Sequence, residues 1–468
     1  MSGMFGVVSR SNCMEDLFYG TDYQSHLGTE FGGLAIQGNQ VHRSIKKIAN
    51  GQFKSLLDGF YREYSGELGL GVISDWEPQP IVLESRLGRF SLVTAGLLNN
   101  LDSLAKALME EGVTFSESME RQFNQTEVVA KLISRKRSIV EGIEDVFKHV
   151  QGSISLVLMS EQGLYAACDR GGRLPLIIGI KAGGMAVTSE SCAFPNLGYE
   201  TVKCMRPGEI VFLDASGMKE AKGPDSDGKV CAFLWIYTGY PASSYEGICV
   251  ESVRERCGQA LARKDRVKAD LASGVPDSGT GHAVGYSMES DLPFRRCLVK
   301  YSAGYGRSYT PPSQEIRDHI ARMKLIAICH VIQGNRLVIC EDSIVRGTQL
   351  RNLTIQKLWE AGASEVHIRV ACPPLMFPCR YNLSTRTIDE LASRRAIADL
   401  EGEWAENKGH EEFQKYLEPT TEEYARMVEW IRKDIRATSL IFLTLEEMMD
   451  AIGLPPCRLC TYCWNGME

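Results

Sequence analysis

At 468 residues the chain is long enough for more than one domain, and 44% hydrophobic with 24% charged residues is ordinary globular composition. A net charge of -7 with no basic stripe argues against nucleic acid or an anionic membrane as partner. No apolar run reaches membrane-spanning length and no charged-then-apolar signal opens the chain, so a cytoplasmic protein is expected, whose 15 cysteines are reduced thiols or metal ligands rather than disulfides.

To about residue 225 the pattern is one of short strands with turn signals, among them Ser153–Met159, Leu164–Cys168, Pro175–Ile180 and Glu209–Leu213. Two helical stretches interrupt it, Leu101–Glu111 and Thr126–Phe147. The polar, glycine-rich KGPDSDGK (Lys222–Lys229) is the best boundary, giving expected domains 1–225 and 226–468. Beyond it strand and helix alternate, as in an α/β sheet. The acidic-aromatic stretch Glu401–Glu429 reads as helical and has no assigned purpose.

The segment from Arg336 to Cys372 is the most informative. Leu337–Cys340 is an apolar run suited to a buried parallel strand, and it ends in two carboxylates, Glu341 and Asp342. Charge at a strand's carboxyl end marks a ligand site. Ser343, Ile344, Val345, Arg346, Gly347 and Thr348 then precede a helix whose expected apolar face is Leu350, Leu353, Ile355, Leu358 and Trp359. Free N–H groups and the positive dipole end at such a helix start bind a monophosphate. Gly362 closes the helix and Val366–Val370 returns as the next strand. Paired acids beside a phosphate loop suit a ribose carrying one simple phosphate and one magnesium-bound pyrophosphate.

EDSIVRGT (Glu341–Thr348) resembles the DDSIVRGT signature of the glutamine phosphoribosylpyrophosphate (PRPP) amidotransferase family, which opens purine synthesis. The resemblance continues through SESCAF (Ser189–Phe194), RPGEIVFLDASG (Arg206–Gly217), GVPDSGTGHAVGY (Gly274–Tyr286) and GRSYTPPSQEIR (Gly306–Arg317), in order. It implies an α+β N-terminal-nucleophile hydrolase-like domain with αββα layers, then an α/β type I phosphoribosyltransferase domain, in a dimer or tetramer. It further implies that Glu341 and Asp342 hold the ribose hydroxyls and magnesium, Ser343–Thr348 the 5'-phosphate, and Ser278 the metal or pyrophosphate. Lys300 and Arg307 fall where the family has a basic loop that closes over pyrophosphate. Three departures stand out: Glu341 replaces the family's first Asp, KYSAGYGRS is one residue longer, and RYNLS (Arg380–Ser384) stands for FYGID.

Cys460 and Cys463 form a CxxC in CTYCWNG, which resembles the family's terminal cluster motif. By the resemblance, Cys231 and Cys379 complete a four-iron, four-sulfur site, with zinc the runner-up because four thiolates suit both. Cys13, Cys168, Cys192, Cys204, Cys249, Cys257, Cys297, Cys329, Cys340 and Cys372 read as buried apolar cysteines.

The glutaminase half departs most. MSGMFGVV puts Ser2 where the family's N-terminal nucleophilic cysteine would stand, and serine with a free amine can serve such chemistry. Its neighbours decide otherwise: Leu27 and Ser74 stand where arginines are expected, Ala95 for the oxyanion-stabilising asparagine, and Gln125 for the acid that binds the glutamine amine. Losing one oxyanion donor costs about a hundredfold or more in rate. An enzyme making phosphoribosylamine from PRPP and ammonia, free or from a separate glutaminase, is therefore expected. The alternatives are a PRPP- or nucleotide-binding regulator, and a phosphoribosyltransferase using another nucleophile.

Overall fold

The computed structural model describes residues 2–49, 51–117, 122–225, 228–301, 325–348, 350–382, 387–402 and 410–467. Two compact units emerge: Met1–Val230 with Ser243–Gly247 and Arg380–Leu383, and Cys231–Ala242 with Ile248–Cys379 and Ser384–Glu468.

Among the described residues, the sheets of the first unit are built from thirteen strands: β1 Gly3–Ser9, β2 Phe31–Gln37, β3 Val41–Lys47, β4 Leu68–Ser74, β5 Ile81–Ser85, β6 Gly88–Leu98, β7 Gly152–Ser160, β8 Gly163–Cys168, β9 Ile177–Lys181, β10 Gly184–Thr188, β11 Glu200–Cys204, β12 Ile210–Asp214 and β13 Gly217–Lys222. They form two antiparallel sheets, ordered β11-β9-β10-β1-β4-β2-β3 and β13-β12-β8-β7-β6-β5. The strands of both central regions are apolar on both faces, so each sheet must be covered twice. Met4, Val8, Val72, Val93, Val157 and Leu164 fill the space between the sheets. Outside, α1 (Met14–Asp22) and α2 (Phe53–Glu63) meet through Phe18 and Phe53, whose ring centroids are 5.7 Å apart. On the far face lie α3 (Leu101–Glu110), α4 (Gln125–Ser134) and α5 (Ile139–His149), packed through Leu108, Val129 and Val146. The expected continuous helix Thr126–Phe147 is thus two helices. Ser138 starts the second by accepting the Glu141 N–H at 3.2 Å, a local cap competing with continuation.

The second unit is built on a parallel sheet whose strands run, in spatial order, Leu271–Gly274, Arg336–Glu341, Glu365–Val370 and Ser439–Phe442. Leu337–Cys340 and Val366–Val370 are fully buried, as strands covered by helices on both faces must be. After the loop at 343–348, the chain does not enter a single α-helix. Leu350–Ile355 is a π-helical turn and Gln356–Glu360 an α-helix. The wider turn shifts the inward face, burying Thr354 and leaving Leu353 partly exposed. Gly362 closes the helix at φ +85°. Among the cysteines expected to be buried, Cys329 is exposed and Cys204 and Cys249 are half-buried, because they sit at element ends rather than in core strands. No described helix is long and apolar enough to cross a membrane.

Candidate functional site

In the parallel unit, register brings Gly274 opposite Cys340, so the loops after these adjacent strands emerge side by side. Ser278 lies on one and Asp342 on the other. The Ser278 hydroxyl donates to Asp342 Oδ2 at 2.5 Å, and the Ser343 hydroxyl donates to Oδ1 at 2.6 Å. A Cβ on Gly279 would come within 2.5 Å of the Cys340 carbonyl oxygen, so glycine there permits the two loops' approach. Asp342 N–H donates to Glu341 Oε1 at 3.2 Å. Burial, reinforced by the Asp342 charge, holds the Glu341 carboxyl well above the usual range.

The loop itself is fastened by its backbone. Val345 O accepts the Ala392 N–H at 2.7 Å, and Gly347, at φ +72°, accepts the Arg351 N–H at 2.8 Å. Ile344 is buried, Thr348 is exposed, and the Arg346 guanidinium is ion-paired with Glu390. Lys300 Nζ is 2.6 Å from Asp277 Oδ2, with both groups about half exposed or more, a pair of small energetic weight. Arg307 and Ser384 lie outside the described residues.

The four cysteines singled out by sequence are electrostatic neighbours. A hydrogen bond with Cys379, then burial, raises the Cys463 thiol, which also feels Cys231 and Cys460; burial, Cys460 and Cys379 raise Cys231. The Ala232 N–H donates to Cys460 O at 3.2 Å, and the Met376 and Phe377 N–H groups donate to Cys463 O. Phe233 stacks on Trp464 at 5.1 Å. Among the described residues no three His, Cys, Asp or Glu side chains converge into a group that could hold a single metal ion.

In the first unit, Ser2 is buried at the start of β1, and its hydroxyl donates to Ser74 Oγ at 3.4 Å. Leu27 is buried and close enough that a Cβ on Gly3 would sit 2.8 Å from its methyl. Gln125 turns into the sheet: its Oε1 accepts the Leu98 N–H at 2.9 Å and its Nε2 donates to Gly96 O at 3.4 Å. Glu77, which sequence reasoning passed over, lies beneath. It accepts from the Gln125 N–H at 2.7 Å, the Thr126 hydroxyl at 2.6 Å and Gln79 Nε2 at 3.0 Å, and burial pushes its carboxyl up to about 7. A second missed acid, Glu190, is fully buried, 3.0 Å from His26 Nε2 and accepting from the Tyr245 hydroxyl at 2.7 Å and from Ser243. An acid set between Trp76 and Pro78 was the available signal for Glu77.

Residues 70–196 match the glutamine amidotransferase domain family. Amidophosphoribosyltransferases of Methanocaldococcus jannaschii and Bacillus subtilis are 31% and 30% identical, covering 100% and 99% of this chain and 97% and 93% of their own length. The chain belongs to the amidophosphoribosyltransferase family. In structure it is similar to the B. subtilis glutamine PRPP amidotransferase complexed with ADP and GMP, with TM-score 0.83, 29% identity, and coverage of 100% of this chain and 97% of that one. Its architecture is accordingly an N-terminal-nucleophile hydrolase-like αββα unit followed by a phosphoribosyltransferase α/β unit, and the family places it among the phosphoribosyl-transferring glycosyltransferases.

Proposed function

We propose that this protein is an amidophosphoribosyltransferase of purine synthesis that takes ammonia, not glutamine, as nitrogen donor. In the reaction, ammonia forms a bond to ribose C1', the C1'–pyrophosphate bond breaks, and the nitrogen sheds a proton, giving phosphoribosylamine and pyrophosphate. Division of labour would follow the two units, with domains 1–225 and 226–468 as an inert glutaminase-type domain and a phosphoribosyl domain.

The observation that carries this reading is the state of Gln125. It stands where an acid should grip the substrate amine, and its amide is spent on Gly96 and Leu98. Ala95 offers no oxyanion donor from its side chain, and Leu27 and Ser74 offer no guanidinium. Ser2 has a hydroxyl neighbour in Ser74, yet without the clamps there is no binding energy to place an amide against it. Asp342, by contrast, keeps its hydroxyl partners Ser278 and Ser343. Glu341 and Asp342 fit a hydrated magnesium ion, which typically takes one or two carboxylates and the substrate's phosphates. Bound there, magnesium would neutralise pyrophosphate charge. Lys300 is the described basic residue at the expected loop, where closure would exclude water. For the cysteines, four thiols that influence one another are read as holding a four-iron, four-sulfur group, with zinc the runner-up because four thiolates suit both.

A second reading, a PRPP- or nucleotide-binding regulator, is favoured by Glu341, whose extra methylene moves the carboxylate by about a bond length. Pyrophosphate release from magnesium-PRPP, compared with ammonium, glutamine and no donor, separates the two. Release with ammonium alone supports the enzyme; PRPP binding with no release under any donor overturns it.

A further inference from the structure

The helices on either side of the stretch Glu401–Glu429, which the sequence left without purpose, reach the candidate phosphate loop. The loop's Val345 carbonyl is held by the first residue of the helix Ala392–Glu401. Three residues on, Arg395 extends a terminal guanidinium nitrogen to Arg346 O at 2.6 Å and to Asp434 Oδ2 at 3.6 Å. Asp434 is the last residue of the helix Glu422–Asp434, and its other oxygen accepts from Arg351 Nη1 at 2.8 Å, just beyond the loop. The same helix end lies behind Gly347: an added Cβ there would sit 3.4 Å from Ile435 Cγ2 and 3.7 Å from Asp434 Oδ2.

The contact is built rather than incidental, because the Ala392–Glu401 helix is gripped along its length. Arg394 lies 3.7 Å over the Phe413 ring, Arg395 lies 5.7 Å from the Trp430 ring, and Asp399 accepts the Trp430 indole N–H at 3.0 Å. At its end Glu401 pairs with Lys415 at 2.9 Å and accepts from the Tyr416 hydroxyl at 3.1 Å. A phosphate loop binds through backbone N–H groups whose directions must be fixed in advance. Here three points of the loop's frame, at Val345, Arg346 and Arg351, are fixed by residues from the 392–434 region.

We propose that the helices Ala392–Glu401 and Glu422–Asp434 brace the 5'-phosphate loop, with Arg395 and Asp434 as its positioning residues. The proposal rests on the phosphoribosyl reading above. The two side chains touch no substrate; they act through Arg346 O and Arg351, so their loss should weaken ground-state recognition of the 5'-phosphate without disturbing the pyrophosphate side.

The test is titration calorimetry on the full chain, wild type against Asp434→Asn and Arg395→Gln, with three probes: magnesium-PRPP, ribose 5-phosphate and magnesium pyrophosphate. The expected result is on the order of tenfold weaker binding of the first two, equivalent to about 1.4 kcal/mol, with pyrophosphate unchanged. In turnover, KM for PRPP rises and kcat holds. Arg395→Lys, which keeps the charge but loses the planar fork, should fall between, and it stands in if the glutamine variant fails to give a wild-type melting transition. Equal weakening of all three probes, or none, overturns the brace. A wild-type protein that binds neither PRPP nor ribose 5-phosphate overturns the phosphoribosyl reading and the brace with it.

Discussion

Ser278 donates a 2.5 Å hydrogen bond to Asp342 across 64 residues of sequence. Parallel pairing of Leu271–Gly274 with Arg336–Glu341 makes that possible, since it delivers both loops to the same carboxyl edge of the sheet. Ser278→Ala removes one of the two hydroxyls on a buried carboxylate. A hydrogen bond to a charged group contributes about 1.5–3 kcal/mol, so magnesium-PRPP should bind roughly ten- to a hundredfold more weakly by calorimetry. Unchanged affinity would take Ser278 out of the site.

Burial and the Asp342 charge raise the Glu341 carboxyl's affinity for a proton above the ordinary range. A cation must displace that proton, so magnesium-PRPP affinity should climb as pH rises through the Glu341 range. Glu341→Gln removes the titrating group and should flatten the slope while weakening binding. Binding titrations across pH decide it; a wild-type affinity independent of pH argues against magnesium at Glu341.

Glu77 gives a stability signature. Its carboxyl rises from 4.5 to about 7 on folding, and a raised acid stabilises the fold fully below the unfolded value and loses that contribution as pH rises through the folded one. Between pH 4.5 and 7 the wild type should therefore lose stability relative to Glu77→Gln. The difference approaches about 3 kcal/mol at most, at 1.36 kcal/mol for each pH unit. Denaturant unfolding at several pH values reads it directly, and parallel curves for the two proteins would refute it.

What the sequence shows and what it hides divide by distance along the chain. EDSIVRGT is contiguous, so a buried strand, two acids and a loop can be read in a single pass, and the strand appears as Arg336–Glu341. The helix after it was read with a regular face, whereas the π-helical turn exchanges Leu353 for Thr354 in the core, an effect of backbone pitch that residue types do not carry. Likewise Ser138, unremarkable in a string, caps a new helix and splits Thr126–Phe147. The substitution of Gln125 was visible, but its hydrogen bonds to Gly96 and Leu98 arise from the approach of α4 to β6. Asp434 was beyond reach for the same reason, lying 83 residues from Arg351.

Restoring the thiol alone should not restore glutamine hydrolysis. Ser2→Cys supplies a better nucleophile, yet Gln125 still occupies Gly96 O and the Leu98 N–H, and Ala95 still lacks a donor. Glutamate release by the variant is expected to stay at background in a coupled assay. Turnover well above background would mean that Ser74 and the surrounding backbone suffice to bind glutamine, and the ammonia reading would then be wrong.

The cysteine prediction concerns assembly more than chemistry. Cys231, Cys379, Cys460 and Cys463 come from three separated stretches, and backbone bonds from Ala232, Met376 and Phe377 bring the CTYCW tail to the other two. A four-thiolate group would tie these stretches together, since ligand binding to the folded state alone adds to stability. Protein purified without oxygen should contain iron and acid-labile sulfide in equal amounts. Cys379→Ser or Cys463→Ser should lose both and melt at lower temperature, whereas Cys457→Ser, an exposed neighbour, should keep both. Zinc in place of iron, or a metal-free protein with wild-type melting in every variant, would rule the cluster out.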